Sequence, residues 1–468
     1  MKYTIDNPQE LLKEITNYLK PKQKEKQENG EVFTPMWIIF EMLDALDIAY
    51  DKEYGKSIFT EKNLKWFEPA SGIGNFFIGV YLRLMDGLIL HIPNYESRKK
   101  YIIENMLYMS EINIANVEIC KKIFNPNNLY KMNIYIGDTL EMKLLDEWPE
   151  IINGFDIIIG NPPYNKGSIG CTRKNASHKT LGKYEAIWPK FINKSFELLR
   201  FSGFLVFIIP LSWLKNTHKL HNMILEKNIC YLRLWDNSKS LEAINGKIPI
   251  SLFILQNVVN TNNKTNIISE IKSKKLLSSS TAYLNPKYSI PLAFHNIFNK
   301  LIEFIESQNL QLEFKTKIIT SSGNKIKLPC EYTQKDLWAV DTYTIKEGIM
   351  VKKANGLHQD ANKKKIIISN KSSFIGAFID DGRLGLTGSW KSYILGDNLE
   401  VILKLLSFKI CNIIGHYTKY KQDFLEPDVF MFIPDIRKLG LIDITENAFY
   451  SLIGLSQQEL SQIELYGV

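Results

Sequence analysis

Phe155-Asp156-Ile157-Ile158-Ile159-Gly160-Asn161-Pro162-Pro163-Tyr164 decides how this chain is read. Up to Ile159 the run is short, almost wholly apolar and β-branched. A glycine and two prolines then stop it, which predicts a buried strand ending in a rigid turn. In open α/β sheets the carboxyl ends of the strands carry the ligands. This end offers the Asn161 amide, backbone carbonyls held by Pro162 and Pro163, and the ring of Tyr164. Together they suit a planar amino group, with Asn161 and the Pro162 carbonyl as acceptors and Tyr164 as a stacking face. An Asn-Pro pair alone reads as a capped turn. The full Asn-Pro-Pro-aromatic run after a buried strand is far more specific.

Upstream, three more short strands end in polar residues. Trp66-Phe67-Glu68 leads into Pro69-Ala70-Ser71-Gly72-Ile73-Gly74-Asn75, a glycine-containing turn and helix start where backbone can approach a ligand closely. The three-glycine dinucleotide fingerprint is absent, which argues against a nicotinamide or flavin pyrophosphate. Residues 106–109 run to Glu111, and Ile134-Tyr135-Ile136 to Asp138 and Thr139. One polar strand end is usually a cap. Glu68, Glu111, Asp138 and Asn161 along one parallel edge make a site, with an acid after the second strand suited to a ribose diol and one after the third to an exocyclic amine. Further back, Phe33-Thr34-Pro35 precedes an apolar-periodic helix from Met36 to Leu46, with Thr34 expected as its N-cap and Pro35 as its first helical residue. A helix over 7–20 and the charged stretch PKQKEKQENG come before it.

Downstream, residues 165–183 carry Lys166, Arg173, Lys174, His178, Lys179 and Lys183 and no acid. An acid-free basic loop beside a catalytic turn favours a polyanionic substrate over a merely solvated loop. A helix over 184–199, a buried strand over 203–210 and strands at Leu234-Trp235 and 251–255 finish the sheet. Residues 258–280, rich in Asn, Thr, Ser and Lys, read as a linker. Between Lys352 and Lys391, eight Lys/Arg face three acids, interleaved with Phe374, Phe378 and Trp390, with Tyr393 just beyond, the footprint expected of a nucleic-acid surface, although the aromatics equally suit a core. The domains expected are an N-terminal helix and basic linker over 1–30, a catalytic domain over 31–260 and a recognition domain over 261–468.

In the order of these elements the chain resembles the γ-class N6-adenine DNA methyltransferases of restriction-modification systems, from about Gly30 to Asn257. The resemblance implies an α/β Rossmann-like sheet with helices on both faces and a C-terminal mixed α+β target-recognition domain. It implies S-adenosyl-L-methionine as cofactor: Phe33, Thr34, Pro35, Glu68, Ala70, Ser71, Gly72, Gly74 and Asn75 around its methionine part, Glu111 on the ribose, Ile112 against the adenine, and Asp138 and Thr139 at the amino group. Asn161, Pro162, Pro163 and Tyr164 would be catalytic, and Lys166, Arg173, Lys174, Lys179 and Lys183 would contact double-stranded DNA, with the enzyme acting as a monomer. Three departures stand out: Asn113 where many members have an acid, the Ser71 to Gly74 variant of the loop, and Leu241-Glu242 where members often have an aromatic that sandwiches the flipped base. Trp235 is the nearby candidate for that role, although a tryptophan at a strand end reads more readily as core. RNA adenine and protein glutamine methyltransferases share the Asn-Pro-Pro-aromatic logic, and a non-catalytic DNA-binding subunit would share the fold.

Composition fits this reading. The 468 residues are 45% hydrophobic and 23% charged, with a net charge of +8 that leans toward a polyanion. No apolar stretch approaches the roughly 20 residues that span a bilayer, and the start lacks a signal-peptide core, so an intracellular, cytoplasmic protein is expected. The five cysteines are scattered without a C-x-x-C, which suggests neither a zinc site nor a disulfide framework. About thirty residues before Phe33 are too few for a nuclease domain of ordinary size, so any cognate restriction endonuclease is expected on a separate chain.

Overall fold

The four strands expected at the centre of the chain form side by side: Trp66–Glu68 (β1), Leu107–Glu111 (β2), Asn133–Ile136 (β3) and Phe155–Gly160 (β4). The computed structural model describes residues 2–18, 34–166, 185–244, 246, 248–261, 264–316, 321–327, 338–344, 348–354, 359–369, 376–386, 391–420 and 427–467. β1 pairs in parallel with β2 and with β4, and β2 in parallel with β3. Their carboxyl ends therefore share one edge. Asn165–Lys166 (β5) and Glu185–Ala186 (β6) make a small hairpin after the turn. Leu199–Pro210 (β7), Lys227–Trp235 (β8), Ile250–Val259 (β9), Thr265–Ile271 (β10) and Leu276–Ala282 (β11) extend the sheet to nine strands in the order β11-β10-β8-β9-β7-β4-β1-β2-β3. This is the α/β class expected.

Apolar residues at consecutive positions of β1 bury both faces, because successive side chains of a strand point to opposite sides. Trp66 enters a large cluster with Ile39 and Leu43 of Met36–Tyr54 (α2, following Pro8–Tyr18, α1) and Phe77 and Tyr81 of Asn75–Gly87 (α3). Phe67 turns the other way and stacks on Phe155 at 4.6 Å, with Trp148 edge-on to both. Burying each such ring contributes roughly 1.5–3 kcal/mol, so the edge is carried by a stiff support. Tyr95–Asn105 (α4), Ile114–Phe124 (α5) and Trp188–Leu198 (α6) complete the helices that matter for the site.

Three expectations are corrected. Residues 258–280 are largely sheet: in β10, Thr265, Ile267, Ser269 and Ile271 are buried while Asn266 is exposed, so a period of two is hidden under a polar composition. The first compact unit accordingly holds Met1–Trp213 and Lys219–Leu284, the second Leu214–His218 and Asn285–Val468, and the boundary expected at 260/261 falls inside the sheet. The N-terminal helix is no separate piece either, since Leu11 and Ile15 of α1 lie fully buried in the α2–α3 cluster. The linker that follows α1 lies outside the described residues.

The second unit holds Ser321–Lys327 (β12), Trp338–Thr344 (β13), Gly348–Ala354 (β14) and Gly385–Leu386 (β17) in one sheet. Lys364–Ser369 (β15), Gly376–Asp381 (β16) and Lys391–Leu395 (β18) form another, and helices include His295–Ser307, Leu399–Leu406 and Lys409–Tyr417. Of the basic stretch read as a nucleic-acid footprint, Lys365 is internal while Lys363, Lys364 and Arg383 stay about half exposed. Lys365 is fully buried against Asp380 at 2.5 Å, Lys364 pairs with Glu400 and Arg383 with Asp381. Phe378 packs on an apolar cluster and Tyr393 is buried in it. Phe374, Lys371 and Trp390 lie outside the described residues. Among the described residues no helix is long and apolar enough to cross a membrane.

Candidate active site

The carboxyl ends of β4, β1, β2 and β3 open into a cavity of about 590 Å³. Its lining includes Thr34, Glu68, Ala70, Ser71, Gly72, Asn75, Glu111, Ile112, Asp138, Thr139, Asn161, Pro162, Pro163 and Tyr164. Residues scattered over 130 positions of sequence thus meet at the edge the strand pattern pointed to.

Thr34 is the hub of the assembly. The sequence marked it as a helix cap, but Pro35 occupies the cap position of α2 with no side-chain cap, and Ile38 and Ile39 donate to the Pro35 carbonyl. The buried Thr34 hydroxyl instead accepts from Asn161 Nδ2 at 3.2 Å, and its carbonyl accepts from Asn75 Nδ2 at 3.3 Å. A proline at the cap frees the preceding threonine to reach across to β4. With Nδ2 committed, the Asn161 oxygen is the end of the amide that accepts from a ligand. Tyr164 lines the cavity with its ring, while its hydroxyl is buried without a hydrogen-bond partner and burial pushes the phenol up. A face for stacking fits this placement and a proton donor does not.

The glycine turn is stapled to its neighbours. Ser71 N donates to the Ser110 carbonyl at 3.0 Å and Gly72 N to Glu111 Oε2 at 2.6 Å. The Thr139 hydroxyl donates to the Pro69 carbonyl at 2.5 Å and also meets Ser110 Oγ at 2.6 Å, so it ties β2 and β3 to the turn. Gly72 sits at φ 53, lining the cavity. Gly74, at φ 87, caps α3 away from the lining; a Cβ there would meet Phe124 at 3.0 Å and Cys120 at 3.2 Å, so its role is packing. Asn113 caps α5, accepting from Ala115 N, and its own N–H donates to Glu111 Oε1 at 2.8 Å. An acid there is replaced by a cap that also orients Glu111.

Charge at the edge is held under tension. Glu68 is fully buried, its Oε2 lacks a hydrogen-bond partner, and burial, helped by the nearby Glu111, pushes its carboxyl well above the usual range. The group accepts a backbone hydrogen bond from Phe77, and the remaining unpartnered oxygen is costly unless something satisfies it. Asp138 also lines the cavity, accepting from Leu140 N at 3.0 Å. Ile112, 64% exposed, offers an apolar face. The lining also draws Lys190, Phe191, Asn193, Lys194 and Glu197 from α6, which the sequence reading missed. Their spacing is that of any amphipathic helix, and nothing local says that this face borders a cavity.

Trp235 stands elsewhere. It is 1% exposed, donates from Nε1 to Glu270 at 3.1 Å and packs 6.1 Å from Trp37, so it offers no open face to a base. Leu241 is half exposed, on the helix that follows it. Phe33, Arg173, Lys174, Lys179 and Lys183 lie outside the described residues, and of Lys166 only its place in β5 is described.

Residues 93–241 match the Eco57I restriction-modification methylase family. An uncharacterized adenine-specific methylase of Mycoplasma pneumoniae is 24% identical over 374 residues, covering 64% of this chain and 82% of that protein. The type II methyltransferase M.TthHB8I of Thermus thermophilus is 43% identical over 74 residues, 13% of this chain and 17% of that protein. The type II restriction enzyme and methyltransferase RM.Eco57I of Escherichia coli is 24% identical over 324 residues, 57% of this chain but 31% of that larger protein.

Proposed function

We infer that this chain, which carries an Eco57I restriction-modification methylase domain at its centre, is an adenine-specific DNA methyltransferase of the restriction-modification type. The observation that carries this reading is the Asn161 amide, locked by Thr34 at the mouth of a cavity lined by Glu68, Glu111 and Asp138. The cofactor is S-adenosyl-L-methionine and the substrate an adenine flipped out of double-stranded DNA, inside the cell.

The residues present fit that cofactor. The unsatisfied Glu68 carboxyl suits a cationic ammonium group, Glu111 a diol, and Asp138 beside Ile112 an adenine with its exocyclic amine. When bound, S-adenosyl-L-methionine supplies an electron-poor methyl group. The chain's own part is to position and polarise. The amino nitrogen of adenine is normally conjugated with its ring. Asn161 Oδ1 and the Pro162 carbonyl, accepting its two hydrogens, favour a pyramidal nitrogen whose lone pair can attack, and the surplus proton then leaves to solvent. Tyr164 stacks on the flipped base and offsets part of the unstacking cost of a few kcal/mol. No covalent nucleophile is required, so orientation and fixed dipoles carry the acceleration.

The test is to incubate the chain with S-adenosyl-L-methionine and, in parallel, unmethylated duplex DNA, RNA and cell protein, then digest and analyse by mass spectrometry. N6-methyladenine in DNA is expected. Methyl transfer only to RNA adenine or protein glutamine overturns the substrate, and saturable cofactor binding without any product would mark a non-catalytic DNA-binding subunit.

A further inference from the structure

In the second unit, described ion pairs such as Lys365 with Asp380, Lys364 with Glu400 and Lys404 with Asp443 match one cation to one carboxylate. Asp360 departs from that pattern. Its side chain, 1% exposed, holds Lys363 Nζ at 2.9 Å on Oδ1 and Lys315 Nζ at 3.4 Å on Oδ2. The Tyr393 hydroxyl donates to Oδ2 at 2.8 Å and Gln359 Nε2 does so at 3.4 Å. Among the described residues one carboxylate meets two ammonium groups, so these three side chains carry a surplus positive charge. Both lysines still reach water, with side chains 45% and 58% exposed. An ammonium has three donors, and the contact with Asp360 needs one from each.

The arrangement is also held in place. Lys315 and Tyr393 exchange two backbone hydrogen bonds of 2.9 Å, which tie Lys315 to β18, and Lys363 N donates to the Asp360 carbonyl at 3.2 Å just before β15. Lys363, with Tyr393 and Lys315 adding to it, holds Asp360 well below the usual carboxylate range, so the anchor stays ionised at any working pH. A purely structural pair needs none of this excess. Lys365 and Asp380 in the same small sheet are 0% and 1% exposed and matched in charge.

We propose that Lys315 and Lys363, set side by side on Asp360, grip one backbone phosphate of double-stranded DNA. Free lysines lose rotamer freedom when they bind an anion, and here the ordering is already done. The contact reads charge and not sequence, so it would set the position of the second unit on the duplex and leave base recognition to other residues. This rests on the DNA methyltransferase reading.

The experiment is a titration of the full chain against a fluorescent mixed-sequence DNA duplex at several NaCl concentrations. For K315Q/K363Q the slope of log K against log salt should fall in magnitude by about 0.9, the value for one phosphate contact, with a similar loss on unrelated duplexes. K315R/K363R should keep the wild-type slope. Because Asp360 loses both lysines in the double variant, K315Q alone is read beside it and should show part of the same fall. K364Q/K404Q removes as much charge from one-to-one pairs and should leave the slope unchanged. An unchanged slope in K315Q/K363Q, an equal fall in K364Q/K404Q, or a loss confined to duplex RNA would each overturn the clamp. The two readings fail separately: no N6-methyladenine in any DNA sinks the methyltransferase, whereas an unaltered salt slope in a chain that still methylates DNA sinks the clamp alone.

Discussion

Two stretches of the same sheet edge treat their polar groups in opposite ways. At the ends of β4, β1, β2 and β3, the Glu68 carboxyl is buried with Oε2 unsatisfied, and Asp138 and Glu111 border open space. Near the end of β8, charge is closed on itself: Arg233 pairs with both Glu41 and Glu270, Glu270 also takes Lys239 at 2.6 Å, and Trp235 Nε1 completes the set. Both stretches follow strands of the same direction, since β8 and β7 are each antiparallel to β9 and β7 is parallel to β4. Strand direction alone therefore does not mark a site. What separates the two is the state of the carboxylates: Glu68 Oε2 has no partner, whereas Glu41 and Glu270 are each held by cations, although Arg233 Nε nearby is itself without one; a buried acceptor without a partner costs about 1–3 kcal/mol that a ligand can recover.

Asn161→Ala attacks the open stretch hardest. Turnover should fall about a thousandfold, the scale for losing one fixed polar group aimed at the transition state, while calorimetric cofactor binding changes less than about threefold. Loss of cofactor binding as well would mean that Asn161 holds the cavity together. Glu68→Gln probes the cost of leaving a carboxyl unsatisfied. The folded chain binds this proton more tightly than the unfolded one, so stability is highest below the ordinary glutamate range and falls as pH rises from there through the raised folded value. In the ligand-free chain the variant should remove that fall and unfold at a higher temperature at neutral pH, by about 2 kcal/mol, yet bind S-adenosyl-L-methionine more weakly. A variant no more stable than the parent at neutral pH would show that Glu68 is satisfied in the free protein.

Thr34→Val keeps the shape and removes the acceptor for Asn161 Nδ2. Turnover should drop about tenfold, as for one hydrogen bond of about 1.4 kcal/mol, with KM for the cofactor nearly unchanged. If Thr34 acted as a helix cap, the variant would instead lower the melting temperature and leave turnover alone.

That contrast shows what was legible. The four polar strand ends could be read because each follows a short apolar run and stops it, a local pattern. The local pattern gives Thr34 only as a cap and the resemblance alone gives it to the site, since a threonine before a proline looks the same whether its hydroxyl caps a helix or crosses to residue 161. β10 and β11 were hidden because strands solvated on one face carry Ser, Thr, Asn and Glu, and composition masks their alternation. Phe191 and Lys194 were unreadable as cavity lining, since an amphipathic face does not say what it faces. The ion pairs around Asp360 were unreadable for a like reason: the run of lysines reads as a nucleic-acid footprint, and nothing local says that Asp380 is brought to Lys365 across a strand pair or Lys315 to Asp360 over 45 positions.

Trp235 gives the finest cut between the two stretches, because the sequence leaves it two roles, core residue or base-sandwiching aromatic, and the structure favours the first. As a base-sandwiching aromatic it would need an open face beside Tyr164; as found, it is buried against Trp37 and donates to Glu270. Trp235→Phe keeps a ring and loses the donor, so a stacking role would survive the change almost intact and a structural role would not. The expected result is a loss of about 1 kcal/mol in stability, the size of one hydrogen bond to a partly screened carboxylate, with kcat and cofactor affinity within about twofold of the parent. Trp235→Leu extends the test by removing the ring: stability should fall further, and methylation measured below the unfolding transition should still hold. A kcat that collapses in Trp235→Leu while Trp235→Phe stays active would place an aromatic face of this stretch in the chemistry, and paired carboxylates would no longer separate scaffold from site.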